Sequence, residues 1–263
     1  MPTSLDEILA HKRLEVEALK ARLRRTGSTT VMRAMGHVRS FADAITADDM
    51  VIVPEVKKAD PWRGVFNADL DARTLSLQLE EAGAVALALQ TDERYFHGNT
   101  EDLYHVTRKT HVPVMVRDFV VDEAQLTDIK AKGGDAVVLT AGLVDEAALG
   151  RFVKFADYIL LQTIIEVADA AEVEMAMKAG AQMIGVQNRD LRTQELQLKR
   201  SIDLRQRIPD DVLAVSVGGV NKVEDLAPLR DAGYDAVVVG ELIMRASDPC
   251  AQYRTLQAAV AGG

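Results

Sequence analysis

Four short stretches of this chain place charged side chains where strand-like runs end, and any chemistry would begin there. The run Met50–Glu55 continues into Val56-Lys57-Lys58-Ala59-Asp60-Pro61-Trp62-Arg63-Gly64. Side chains alternate along an extended segment, so Glu55 and Lys57 share a face. A carboxylate and an ammonium held together there could move a proton or grip an anion. The same spacing also makes a plain ion pair that caps a strand. Arg117 and Asp118 follow the run Val112–Val116, and which of them turns inward depends on register. Glu166 ends Thr163-Ile164-Ile165, an apolar stretch that makes a surface carboxylate hard to explain. Gln187-Asn188-Arg189-Asp190 could orient a ligand or cap a turn, and Asp190 reads as the turn residue. Two further runs end in Gly218-Gly219 and in Gly240, followed by Glu241. Backbone N–H groups exposed by such glycines, with a short helix starting beside them, form a phosphate cradle. A glycine at a strand end can also be only a turn.

Other chemistries find little support. His11, His37, His97, His105 and His111 show neither HxH nor HExxH spacing, so no metal is expected. Cys250 is the only cysteine, which excludes an intramolecular disulfide and a Cys-rich zinc site. No GxSxG, Walker loop or Cys–His pair points to a nucleophile, and no GxGxxG follows a strand-like run. No cofactor is expected.

These residues need a scaffold that brings strand ends together. Eight strand-like runs are expected: Met50–Glu55, Val85–Leu89, Val112–Val116, Ala136–Leu139, Thr163–Val167, Met183–Val186, Val212–Val217 and Ala236–Val239. They are continuous Val/Ile/Leu/Ala runs, as for parallel strands covered on both faces. Helical patterns between them include Thr74–Ala82, Glu123–Lys132, Ala171–Ala179, Leu198–Arg207 and Val223–Asp231. Gly83, Gly133, Gly180 and Gly233 close several of these as C′ glycines. Such alternation predicts an α/β fold with a parallel sheet. Eight strands favour a closed (β/α)8 TIM barrel over an open sheet, with reactive residues at the C-terminal strand ends. An extra N-terminal helix is expected over residues 4–25. Ser4 and Glu7 make a capping box, Leu5, Ile8, Leu9, Leu14 and Leu19 approximate an apolar stripe, and Gly27 ends it.

Bulk properties agree. The 263 residues fit one barrel domain spanning 1–263, and no linker-like stretch divides them. The net charge of −9 argues against nucleic acid as partner, though one small phosphate needs only local cations. Residues 1–6 lack a basic region followed by an apolar core, so no signal peptide is expected. No apolar run approaches the ~20 residues of a membrane span. A cytoplasmic protein, monomeric or a small homo-oligomer, acting on a phosphorylated small molecule is the expectation.

Nearly end to end, the motifs "PEVKKADPWRG", "TDERYFHGNTEDL", "PVMVRDF", "IIEVA", "GVQNRDL", "GGV" and "VGELIMR" resemble the indole-3-glycerol phosphate synthase family of tryptophan biosynthesis, in the family's order. The resemblance implies a carbon–carbon lyase. Its substrate is an anthranilate joined through nitrogen to a deoxyribulose phosphate, and the indole ring closes with loss of carbon dioxide and water. It implies catalytic roles for Glu55, Lys57, Arg117 and Glu166. Phe96 and Phe119 would surround the aromatic ring, and Asp60, Trp62, Gln187, Arg189 and Val217 would line the rest of the substrate pocket. Lys57, Gly218, Gly219, Gly240 and Glu241 would hold the phosphate.

The chain also departs from the family pattern. Arg117 stands in place of a catalytic lysine, and a guanidinium is a poor proton donor near neutral pH. Gln187 replaces an asparagine. Val217 occurs where Ser-Glu-Ser-Gly-Ile has its carboxylate, and Asp60-Pro61-Trp62 replaces Ser-Pro-Ser. An Asp60 facing the aromatic carboxylate would repel it. Three readings follow: a synthase with an unusual site, a paralogue on the same barrel acting on another sugar-phosphate or aromatic-amine adduct, and a non-catalytic phosphometabolite-binding protein.

Overall fold

The computed structural model describes residues 4–26, 39–46 and 50–261. Eight parallel strands close into a barrel in chain order. They are β1 (Val51–Val56), β2 (Leu87–Gln90), β3 (Val114–Arg117), β4 (Ala136–Thr140), β5 (Gln162–Val167), β6 (Met183–Gln187), β7 (Leu213–Val217) and β8 (Ala236–Val239). β1 completes the ring, pairing Val51 with Ala236 of β8 and Glu55 with Ala88 of β2. All eight expected runs form strands. β2 and β3 start two residues later than expected. Pro113 has no N–H to give to a ladder, and β3 begins just after it while its carbonyl accepts from Leu87 N at 3.0 Å.

Before the barrel come α1 (Leu5–Thr26) and α2 (Phe41–Ile45). The crossovers are α3 (Ala72–Glu81), α4 (Glu93–Phe96), α5 (Thr100–Thr107), α6 (Glu123–Ala131), α7 (Glu146–Tyr158), α8 (Ala170–Ala179), α9 (Lys199–Arg205) and α10 (Leu226–Asp231). α11 (Glu241–Met244) and α12 (Pro249–Val260) follow β8. The four expected C′ glycines all have positive φ. The segment expected as one helix from Val223 opens instead as a 3-10 turn, Val223–Asp225, and then becomes α10.

Two apolar layers hold the barrel. Outward strand residues such as Ile52, Leu87, Leu89, Val137, Ile165 and Val237 pack under the helices. Inward residues including Val53, Ala88, Met115, Val138, Ile164, Val215 and Val238 fill the lumen, and Phe41 and Ile45 of α2 plug its lower end. Gln162 fixes that plug by accepting the Phe41 N–H at 2.6 Å. Each strand is thus in a known phase, and its inward residues alternate from the floor up to the mouth.

α1 packs its first half against Phe96 and Phe119 and ties its second half to Asp122 and Asp128 at α6. Its capping box forms as expected: Ser4 N donates to Glu7 Oε2 at 2.9 Å and Glu7 N to Ser4 Oγ at 3.2 Å. The apolar stripe differs from expectation. Leu5, Ile8, Leu9 and Val16 are buried, but Leu14 is 69% exposed and Lys12 takes a buried place. Leu14 lies nine residues beyond Leu5, which is two and a half turns and therefore the opposite face. Gly27 and His37 lie outside the described residues. No described helix is long and apolar enough to cross a membrane.

Candidate active site

The inward phase of each strand determines which side chains meet at the mouth. From Val53 it leads to Glu55 and Lys57, from Met115 to Arg117, from Ile164 to Glu166, and from Val215 to Val217. All of these line one cavity, together with Gln187, Phe96, Phe119, Gly218, Gly219 and Gly240. Asp60, Trp62, Arg189 and Glu241 reach it from the loops. Every residue given a site role by the family resemblance therefore borders the same space, whereas Asn188 and Asp190 do not.

Its centre is a chain of alternating charges. Lys57 Nζ lies 3.0 Å from Glu55 Oε2, and Arg117 Nε lies 2.8 Å from Glu55 Oε1. The Arg117 Nε contact is an ion pair off the line of a hydrogen bond. Arg117 Nη1 donates to Glu166 Oε1 at 2.5 Å. Glu55 and Glu166 are only 5% and 3% exposed, so each buried carboxylate has its cation partner within ion-pair distance. Burial pushes the Glu55 carboxyl up, but Lys57 and Arg117 outweigh it and hold the group below its usual range. Burial likewise opposes the Arg117 guanidinium, and Glu166 and Glu55 more than restore it. Arg117 is therefore the inward residue of its pair. Asp118 turns under α1, where its Oδ1 lies 2.8 Å from Lys12 Nζ.

Gly240 makes the Glu55–Lys57 pair possible. A Cβ at this position would lie 2.5 Å from Glu55 Oε2 and 2.8 Å from Lys57 Cε. The glycine at the end of β8 thus leaves the space that Glu55 and Lys57 occupy, and a side chain there would displace one of them. Gly218 and Gly219 have φ of 67° and 95°, a left-handed pair that turns the chain sharply away from β7. Asn188, fully buried behind them, fixes this bend. Its Nδ2 donates to Gly218 O at 2.9 Å and to Ser216 Oγ at 3.0 Å, and its Oδ1 accepts from Ser201 Oγ at 2.9 Å. Asn188 thus acts on the loop from outside the barrel.

The loops complete the walls. Phe96 and Phe119 pack with ring centroids 6.0 Å apart and a 48° tilt. Leu5, Ile8 and Leu9 of α1 join them, and Trp62 packs against the group. After β1, Ala59–Asp60 pairs with Gly64–Val65 as a small hairpin. Asp60 Oδ1 accepts the backbone N–H groups of Trp62 at 3.0 Å and Arg63 at 3.2 Å. One oxygen of Asp60 is thus spent on the turn, which weakens the repulsion expected toward a substrate carboxylate. Arg63 Nη2 and Arg245 Nε reach Glu241 Oε1 at 2.9 and 2.8 Å, fastening the hairpin to α11. Despite burial, these two arginines hold the Glu241 carboxyl below its usual range. With its side chain so occupied, Glu241 has only its backbone to offer an anion.

Gln187 Oε1 accepts from Arg189 N at 3.1 Å, and Arg189 Nη1 donates to Gln194 O at 3.1 Å, so both brace the loop after β6. Asp190 Oδ1 accepts from the N–H groups of Arg192 and Thr193, each at 2.8 Å, which makes it the turn residue expected. Val217 is 3% exposed and forms part of the cavity's apolar floor. Gln90 and Thr140 also line the cavity and were not among the residues singled out from the sequence. The signal was present: two residues on from inward Ala88 and Val138, the same alternation points both into the mouth.

Such an arrangement can hold an aromatic ring against Phe96 and Phe119, an anion at the glycine-rich strand ends, and a reacting carbonyl between Lys57 and Glu166. Comparison with known proteins gives the lineage. The family described as indole-3-glycerol phosphate synthase matches residues 5–256. The indole-3-glycerol phosphate synthase of Chloroherpeton thalassium is 36% identical over 91% of this chain and 94% of its own length. That of Chlorobium luteolum is 37% identical over 91% and 92%, and that of Acetivibrio thermocellus 32% over 97% and 99%. Among solved structures, 3-hexulose-6-phosphate synthase from Salmonella typhimurium superposes with a TM-score of 0.64 at 17% identity. It covers 81% of this chain and 99% of that one, a likeness of fold alone. The chain belongs to the indole-3-glycerol phosphate synthase family.

Proposed function

We propose that this protein closes an indole ring on an anthranilate-linked deoxyribulose phosphate, releasing carbon dioxide and water. The observation that carries the reading is the Lys57–Glu55–Arg117–Glu166 chain of charges, set in one cavity between paired phenylalanine rings and glycine-terminated strands. The aromatic ring lies against Phe96 and Phe119, with Trp62, Gln187, Arg189, Val217 and Asp60 shaping the rest of the pocket. The phosphate sits at the backbone of Gly218, Gly219, Gly240 and Glu241, with the charge of Lys57 beside it.

Lys57 donates a proton to the substrate carbonyl oxygen as the ring carbon bearing the carboxylate attacks the carbonyl carbon. Carbon dioxide then leaves with its bonding electrons returned to the ring. The new hydroxyl departs as water, with Glu166 accepting and returning protons in the dehydration. Arg117, fixed between two carboxylates, supplies charge and geometry instead of a proton. Glu55 aims Lys57 and offsets its charge. A proton donor removed from such a site typically costs about 10²–10⁴-fold in rate. Lys57→Ala should therefore lose indole formation to that extent while remaining folded; normal turnover in this variant would remove the mechanism.

A second reading is favoured by Arg117 and Val217 together: a paralogue acting on a different sugar-phosphate or aromatic-amine adduct. A pinned guanidinium and an apolar floor suit a reaction with fewer proton transfers. Retained binding of the anthranilate adduct without indole formation would support it.

A further inference from the structure

Lys12 is a buried cation for which the proposed chemistry has no use. It sits on the inner stripe of α1 and is 3% exposed. Its ammonium lies 2.7 Å from Asp92 Oδ2, 2.8 Å from Asp118 Oδ1 and 2.7 Å from Glu15 Oε2. Burial opposes that charge, but Asp118 and Asp92 more than compensate and hold the ammonium above its ordinary range. Two of the partners are themselves anchors. Asp92 caps α4, accepting the Tyr95 N–H on Oδ1 at 2.7 Å, and α4 ends at Phe96. Asp118 accepts the Phe119 N–H on Oδ1 at 2.7 Å and the Thr91 hydroxyl on Oδ2 at 3.0 Å. One ammonium thus joins the turn that presents Phe96 to the residue that presents Phe119.

We propose that Lys12 is a positioning residue for the aromatic end of the substrate, setting the separation and tilt of the Phe96–Phe119 wall from α1. Without it the two buried carboxylates lose the cation that draws them together, and the two loops lose their common tie. A tether to a single element would not join them. Lys20 also ties α1 to the barrel, at 2.6 Å from Asp122, but Asp122 caps α6 and does not line the cavity. The kinetic arm of the test below rests on the proposed reaction, whereas the spectroscopic arm does not.

Trp62 is the only tryptophan and packs against this same group of residues, so its emission reports on the wall directly. The full chain carrying Lys12→Met, Lys12→Arg or Lys20→Met would be compared with the parent. Lys12→Met is expected to shift Trp62 emission to the red and to raise KM about ten-fold while kcat changes less than about three-fold, the pattern of lost ground-state binding. Lys12→Arg should recover most of both, and Lys20→Met should match the parent. Unchanged emission and KM in Lys12→Met would overturn the proposal, as would an equal effect in Lys20→Met. If Lys12→Met does not fold, Lys12→Gln, which removes the charge and keeps a polar end, is judged by the same two readouts, with parent-like values overturning the proposal. If the parent makes no indole, the proposed reaction fails, and the emission comparison alone decides the role of Lys12.

Discussion

Replacing Arg117 with methionine tests the electrostatic core of the site without reference to substrate. The guanidinium is the only cation in contact with Glu166 among the described ion pairs and one of two on Glu55. Methionine fills much of the same volume, so the cavity term stays small, and the loss is that of a counter-charge. Removing one partner of a buried ion pair costs about 3–5 kcal/mol, because the remaining charge stays buried. In a chain of this size each kcal/mol shifts Tm by about 2–4 °C, so the variant should melt about 6–20 °C below the parent at pH 7. The pH dependence has a definite sign. In the parent, the folded Glu55 carboxyl is held below its usual range. It therefore contributes stability above the unfolded value of about 4.3, lost as pH falls through the lowered folded value. In the variant, Glu55 loses one of the two cations that offset its burial and takes up a proton at higher pH than in the parent, which relieves the penalty. The gap in Tm should thus be widest near neutrality and close toward acid. Thermal unfolding followed by circular dichroism from pH 7 down to about 4 reads both effects. A Tm within about 2 °C of the parent at pH 7 would refute the reasoning, since it would mean the carboxylates need no buried partner.

Two further outcomes follow from the same geometry. Gly240→Ala places a methyl group 2.5 Å from Glu55 Oε2. It should cost about 1–3 kcal/mol by overpacking and lower kcat by displacing Lys57, measured by thermal melts and steady-state kinetics; a parent-like rate would show that the pair has room to move. Arg117→Lys combined with Val217→Glu restores the proton donor and the carboxylate that the family motif carries. Indole formation should rise by about ten-fold or more in a fluorescence assay; no gain would mean that the rest of the pocket has diverged as well.

Much of this was legible in the sequence for identifiable reasons. Parallel strands buried on both faces read as unbroken Val/Ile/Ala runs, so all eight were visible, and the glycines that end the helices mark where strands begin. Glu55, Lys57 and Glu166 stood out because charge directly follows such runs. The choice between Arg117 and Asp118 was not legible, since it turns on a one-residue register that only the pairing of Leu89 with Val116 and Gln90 with Arg117 settles. Gln90 and Thr140 are not legible because polar residues at strand ends look like turn formers until the inward phase is known. Lys12 is hidden in the sequence for a different reason. A lysine on an apolar stripe reads as a solvated interruption, and its three carboxylates come from Glu15 nearby and from Asp92 and Asp118 far along the chain. Leu14 was assigned to the stripe by its type, although its phase puts it in solvent. The turn built by Asp60 is likewise a matter of loop conformation, which composition does not encode.

The central claim is tested most directly by mixing the purified protein with the anthranilate-linked deoxyribulose phosphate and following indole fluorescence. The account predicts product at an enzyme-like rate, on the order of 1 per second or faster at saturation, with Lys57→Ala as the inactive control. A folded protein that binds or rejects this substrate and forms no indole would contradict it, and would assign the Arg117 and Val217 site to a different reaction.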